Sequence, residues 1–393
     1  MALPAIDPNV SGGNARPAPS NANITDVFTN VSGSLGTATY TVTPTYNGCT
    51  GDIQTVVIDV GAQPILADLN TAACSNVATG LILDVAVGSV PAANYNITDV
   101  DVNPSLNIIS QATIPQAGVA DTYLQNDTYR NLTGGDLTVV YTVVPVFSPG
   151  CVGNPKYITI TIHPEPIILL GQTKTICNNE PANMEILLNP ANIPAGSEFR
   201  WAKPTMSDGS DQGTAQSNVV ADPVGTLHIT DVFINEPTAL PYVPITATYY
   251  VTPTSSFGCD GDQIPVVITI NPKPNTSAIS GADEACVNTT NMVYSVSPTG
   301  GSKYYWYVPP SLGTITFGGT INDAFFIMNT AGSAAVDSIS VIERNSFTCW
   351  GDTVKFGLEI FNYPLLAIVA GDNSVCAGEA GMIYSVPNNA GSV

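Results

Sequence analysis

Ala38-Thr-Tyr-Thr-Val-Thr-Pro44, then Asn47-Gly-Cys49-Thr-Gly-Asp52, then Val56-Val-Ile-Asp-Val60 and Pro64 read as a strand, a tight turn with a cysteine, a second strand and a proline stop. Alternating β-branched residues bounded by Asn-Gly and Pro are the signature of a β-hairpin. The same order recurs at 139–145, Cys151, 157–162 and Pro166, and again at 247–253, Cys259, 266–270 and Pro274. A looser copy surrounds Cys349, Ile360 and Pro364. A chain that repeats one hairpin and one hinge is a string of domains.

Cysteine spacing gives the repeat length. The turn cysteines 49, 151, 259 and 349 recur at intervals close to those of a second class, 74, 177, 286 and 376, each of which precedes an apolar strand. Two independent markers with one period predict tandem units of about immunoglobulin size. The expected units are 64–165, 166–273 and 274–363, flanked by the closing half of a unit at 1–63 and the opening of another at 364–393. Each complete unit carries six or seven candidate strands and often an aromatic on its third strand (Tyr95, Trp201, Trp306), as in a two-sheet antiparallel sandwich. The fold class expected is therefore all-β, a tandem array of antiparallel sandwiches. The aromatics, like Tyr40, Tyr141 and Tyr249, read as core, with a ligand-stacking role for Trp201 or Trp306 as the alternative. Gly61-Ala-Gln-Pro64, His163-Pro-Glu-Pro166, Asn271-Pro-Lys-Pro274 and Phe361-Asn-Tyr-Pro364 read as stiff hinges, because proline fixes φ.

Composition limits the partners. A formal net charge of −21, with ten Lys plus Arg against 31 Asp plus Glu, repels nucleic-acid phosphate and anionic lipid headgroups. Neither partner is expected, nor is membrane insertion, since no apolar run is long enough for a spanning helix. Eight cysteines argue for an oxidising compartment, whereas Met1-Ala-Leu-Pro-Ala-Ile-Asp-Pro8 has no signal-peptide pattern. Together these lead to the expectation of a fragment of a longer exported protein.

Two disulfide schemes suit the spacing. One joins neighbours: Cys49–Cys74, Cys151–Cys177, Cys259–Cys286 and Cys349–Cys376. The other joins cysteines within each unit: Cys74–Cys151, Cys177–Cys259 and Cys286–Cys349, with Cys49 and Cys376 paired outside the sequence. A strand and a hinge separate neighbours such as Cys49 and Cys74, and a bridge needs Cα atoms within about 7 Å. The within-unit scheme is the favoured expectation.

Chemistry is sparse. His163 lies beside a hinge and His228 before a strand, and neither belongs to a nucleophile, zinc or phosphate motif. No catalytic, cofactor or metal residue is assigned and no enzyme is expected. The motif to weigh is Cys-x-Gly-Asp, at Cys49/Gly51/Asp52, Cys259/Gly261/Asp262 and Cys349/Gly351/Asp352, with Asn154 replacing the acid after Cys151. It reads as turn chemistry, or else as a Ca²⁺ ligand shared with a neighbour such as Asp260, although one carboxylate per turn is few for calcium.

Pro-hinged units that open with Cys376-Ala-Gly-Glu-Ala-Gly-Met-Ile-Tyr-Ser-Val386 and close with Gly48-Cys-Thr-Gly-Asp52 plus a Val/Ile strand resemble the PKD-like and immunoglobulin-like repeats of very large Bacteroidota surface proteins, gliding-motility adhesins among them. The resemblance implies a structural stalk in a cell-surface adhesin, anchored at the outer membrane and exported by the type 9 secretion machinery. Surface glycans or a substratum would be engaged by other parts of the full-length protein. Two matches to the phylum's three-residue O-glycosylation pattern, at Ser338 and Thr353, fit that setting. The alternative is a set of carbohydrate-binding modules attached to a secreted hydrolase.

Overall fold

The computed structural model describes residues 4–14, 23–30, 32–148, 150–189, 194, 196–220, 226–237, 241–364, 371 and 374–385. Among them every regular element is a strand. The protein is an all-β tandem array of sandwiches.

In the second repeat the large sheet runs in the order Gln116–Val119, Asn94–Val102, Leu137–Phe147, Lys156–His163 and Thr71–Cys74, and a two-stranded sheet of Leu106–Ser110 and Thr128–Asn131 faces it. The hairpin read from the sequence is the centre of the large sheet, Leu137–Phe147 against Lys156–His163. Its inward residues Val139, Tyr141, Val143, Ile158, Ile160 and Ile162 are all buried, as strict alternation requires. Leu81 and Leu83 are buried as well, although their segment forms no strand and carries only an isolated bridge between Val85 and Leu66.

The third repeat follows the same plan, with Ile245–Thr254 and Ile264–Asn271 at the centre and Thr173–Cys177 at one edge. In the fourth, Ala335–Arg344 and Trp350–Phe361 form the hairpin, Glu284–Cys286 the edge, and Met292–Ser295, Phe325–Thr330 and Gly313–Gly318 the facing sheet. In the first repeat Gly36–Val42 and Gln54–Val60 pair with each other and Ala5–Ile6 adds beyond Gly36–Val42, while Val10–Gly12 pairs with Phe28–Asn30.

One pairing sets the geometry of the joints. Each opening strand lies parallel to the closing strand of its own repeat, with Cys74 opposite His163, Cys177 opposite Asn271 and Cys286 opposite Phe361. The opening cysteine therefore sits at the end of the closing strand, where the chain leaves for the next repeat.

Candidate functional site: the junction between repeats

A buried asparagine fixes the first three hinges. Asn30, Asn131 and Asn235 occupy one position in three repeats, and their Nδ2 groups donate to the last carbonyls of the closing strands: Val60 at 2.9 Å, Ile162 at 2.8 Å and Ile270 at 2.9 Å. Their own carbonyls accept from the hinge amides of Gln63 (3.1 Å), Glu165 (3.3 Å) and Lys273 (3.0 Å). The hinge is thus docked on the repeat it leaves. In the same segment Tyr40, Tyr141 and Tyr249 donate to Asp26, Asp127 and Asp231. Burial pushes the Tyr141 and Tyr249 hydroxyls well above the usual range, and their hydrogen bonds to the carboxylates add to the rise. These tyrosines are core residues carrying an internal clasp.

The turn of the following repeat then seats on the hinge. A Cβ on Gly261 would fall 2.0 Å from the Pro166 carbonyl oxygen, and one on Gly153 would fall 2.1 Å from that of Pro64. Only glycine admits this approach. Gly351 lies similarly over Pro274, with a looser 3.1 Å to its carbonyl oxygen. The glycine of Cys-x-Gly-Asp is therefore a contact between a repeat and the hinge that leads into it.

The turn cysteine completes the seat. Cys259 bridges to Cys74 and Cys349 to Cys177, with Cα–Cα distances of 5.3 and 5.5 Å. Both bridges join the opening strand of one repeat to the hairpin turn of the next, which corrects the expected Cys74–Cys151, Cys177–Cys259 and Cys286–Cys349 pairs. The physical reason is strand length. Cys74 is in register with His163, twelve residues along the chain from Cys151 (163 − 151), at the far end of the closing strand. Asn271 and Phe361 stand equally far from Cys259 and Cys349. At about 3.3 Å per strand residue the closing strand alone, Lys156–His163 in the second repeat, separates the two cysteines of one repeat by roughly 25 Å, and a bridge cannot span that. Cys49, Cys151, Cys286 and Cys376 are unbridged.

Ion pairs close the junction. Between the second and third repeats the Arg130 guanidinium holds Glu165 of the hinge (Nε–Oε1 2.7 Å) and Asp262 of the incoming turn (Nη2–Oδ2 2.7 Å). Glu165 is buried and also accepts from the Ser75 hydroxyl at 2.9 Å. The His163 ring stacks on Phe257 with centroids 3.9 Å apart. At the next junction the cation moves into the hinge, where Lys273 pairs with Asp352 of the turn (2.7 Å) and more loosely with Glu236 (3.5 Å). The hydrogen bond from Lys273 to Asp352 raises the ammonium above its usual value. Where Asn154 replaces the turn acid, the two cation positions hold Thr29 and Gln63. Acid and cation disappear together, as an ion pair requires and turn chemistry alone does not.

Asp260, the other carboxylate considered for calcium, is claimed by Arg200 (2.7 and 2.5 Å), which holds its carboxyl below the usual range. Among the described residues no three His, Cys, Asp or Glu side chains converge as a metal group. Trp201 is buried, edge-on to Tyr249, and Trp306 is half-buried with its indole N–H on the Asp323 carbonyl. Ser338 and Thr353 both lie in the central hairpin of the fourth repeat, Ser338 half-buried and Thr353 exposed. His163 Nδ1 lies 2.8 Å from Asp136, and His228 sits opposite Glu185 in a two-stranded sheet.

A family model described as a PKD-like domain matches residues 4–64, 116–166 and 174–274, and a second PKD-like model matches 272–355. No curated protein matches the chain. Among solved structures, the I67–I69 fragment of the titin I-band is similar at 8% identity and a TM-score of 0.32, covering 78% of this chain and 100% of its own. The FN1–FN3 domains of chicken CNTN1 are similar at 12% identity, with 76% and 98% covered and a TM-score of 0.26. A Bacteroides ovatus mixed-linkage glucan utilization locus protein, SGBP-B, in complex with a mixed-linkage heptasaccharide, is similar at 12% identity, with 81% and 76% covered and a TM-score of 0.15.

Proposed function

The chain belongs to the PKD-like domain family, and on that premise we propose that it is a load-bearing stalk segment of a secreted cell-surface adhesin that serves surface attachment and gliding motility. The observation that carries this reading is the junction itself. At two junctions a covalent bridge and a cation–carboxylate contact span the joint between repeats, and the glycine of each incoming turn seats on the hinge proline that leads into it. A binding module has no need of such a joint, whereas a stalk gains from each contact because bending must break it. The bridges fit an oxidising, extracellular setting. Export by the type 9 secretion machinery, anchoring at the outer membrane and an origin in Bacteroidota belong to the same proposal, as does engagement of glycans or substratum by other parts of the protein.

The test is to probe the isolated 393-residue chain in small-angle scattering and on a glycan array. A stalk stays extended, loses that extension when reduced, and captures no glycan. Specific glycan capture overturns the reading in favour of carbohydrate-binding modules. One surface supports that second reading. Tyr305 and Trp350 lie 4.9 Å apart on the fourth repeat, Arg344 packs over the Trp350 ring, and Tyr307 is exposed on the same strand as Tyr305. On the second reading Trp350→Ala abolishes capture, and Trp201→Ala does so only by unfolding its repeat.

A further inference from the structure

In the second, third and fourth repeats the closing strand has a neighbour on both sides, the hairpin partner and the parallel opening strand. In the first repeat the closing strand Gln54–Val60 pairs only with Gly36–Val42 among the described residues, so its outer edge is open. The cross-strand tyrosines set the equivalence: Tyr40 faces Val56 as Tyr141 faces Ile158 and Tyr249 faces Val266. Ile158 and Val266 are 1% and 0% exposed, but Val56 is 40% exposed. In the second repeat Leu66, Leu81 and Leu83 of the opening segment share one buried core with Ile158. The rest of this closing half is assembled as in its sister repeats, with Asn30 bonded to Val60 and Tyr40 buried against Asp26.

A thiol lies at the end of this edge. Gly61 holds the position of His163 and Asn271, the residues that stand opposite the opening cysteines Cys74 and Cys177. A Cβ on Gly61 would come within 2.7 Å of the Cys151 sulfur, its one non-adjacent neighbour within 4 Å among the described residues. Cys151 is the turn cysteine of the second repeat, equivalent to Cys259 and Cys349, and both of those are bridged to opening cysteines.

We propose that the open edge of Gln54–Val60 is an acceptor for the opening segment of another PKD-like repeat, a segment outside residues 1–393, whose strand adds in parallel and whose cysteine bridges Cys151. The occupant has the chemistry of Thr173-Lys-Thr-Ile-Cys177: an extended, β-branched strand with one inward apolar residue, Ile176, and a cysteine at its C-terminal end. Strand addition of this kind satisfies backbone groups along a sheet edge while side chains set the register. The bridge forms by exchange. The Cys151 thiolate attacks a mixed disulfide on the incoming cysteine, one S–S bond forms as one breaks, and the displaced thiolate leaves with the electron pair.

The probe is a peptide of residues 168–182 carrying glutathione on Cys177, incubated with the whole 393-residue protein. The mixed disulfide supplies the leaving thiolate, so no further oxidant is needed. The expected result is attachment to Cys151 in preference to Cys49, Cys286 and Cys376 by about tenfold or more, with slowed amide exchange over residues 54–60. A scrambled peptide with its cysteine in place should show no such preference. Equal attachment to all four thiols, equal behaviour of the scrambled peptide, or no attachment at Cys151 overturns the proposal. So does a head-to-tail Cys376–Cys151 link between copies formed without peptide, because the occupant is then a second copy.

Discussion

Pulling the chain by handles beyond residues 74 and 349 measures how its bridges are arranged. Cys177 lies within the loop closed by Cys74–Cys259, and Cys259 lies within the loop closed by Cys177–Cys349, so the bridges interlace. Once the repeats unravel, the shortest covalent path from residue 74 to residue 349 crosses both bridges. It includes only the 82 residues between them (259 − 177), where the reduced chain offers 275 (349 − 74). The 193 residues withheld (275 − 82) amount to roughly 640–700 Å of contour at about 3.3–3.6 Å per residue. Single-molecule force extension with and without reductant reads this length. Cys151→Ser is the decisive variant: with cross-junction bridges it changes nothing. A Cys74–Cys151 bridge within the repeat would instead release a further 77 residues (151 − 74), roughly 260 Å, when that serine is introduced. An extension that is the same in both redox states, or one that lengthens in Cys151→Ser, refutes the arrangement.

Cys259→Ser is expected to destabilise the third repeat by about 4–5 kcal/mol on the chain-entropy model, because it frees a loop tethered at Pro166 and at Cys259; amide exchange over Ile264–Asn271 measures the loss. Arg130→Ala strands the buried Glu165 carboxylate and should cost about 2 kcal/mol or more, whereas Asp262→Asn at the exposed end of the pair should cost under ~1 kcal/mol in the same thermal melts. Gly261→Ala should slow reformation of Cys74–Cys259 after reduction, since its Cβ would collide with the Pro166 carbonyl. Gly51→Ala, whose Cβ would press on the Pro44 ring but keep an ordinary 3.6 Å from the Pro44 carbonyl oxygen, should not. Alkaline pH should weaken the second and fourth repeats. Burial pushes the Tyr129 and Tyr294 hydroxyls up from 10.0 to about 12, with the Asp127 and Asp283 charges adding to the rise. Their contribution is complete below pH 10, the unfolded value, and is lost as pH rises through about 12. Denaturant midpoints that stay flat between about pH 9 and 12 contradict this.

The hairpin and the hinge are legible because they are local: strict alternation from Val139 to Val143, a glycine turn and a proline stop all lie within about thirty residues of one another. The bridging is hidden because parallel pairing of Thr71–Cys74 with Lys156–His163 is non-local and leaves no mark in spacing. Strand length, which sets aside Cys49–Cys74, counts with equal force against Cys74–Cys151, but only the register reveals it. The partner of Asp262 lies 132 residues upstream, and its one trace in the sequence is the joint loss of acid and cation at Asn154, Thr29 and Gln63. The Asp–Tyr clasps are more accessible, since their spacing of 14, 14 and 18 residues recurs in three repeats.

Non-reducing peptide mapping of the oxidised chain tests the central claim most directly. Linked peptides containing Cys74 with Cys259 and Cys177 with Cys349 are the predicted result. Peptides linking Cys74 with Cys151, or Cys177 with Cys259, would show that the repeats are stapled internally and that their junctions are not covalent.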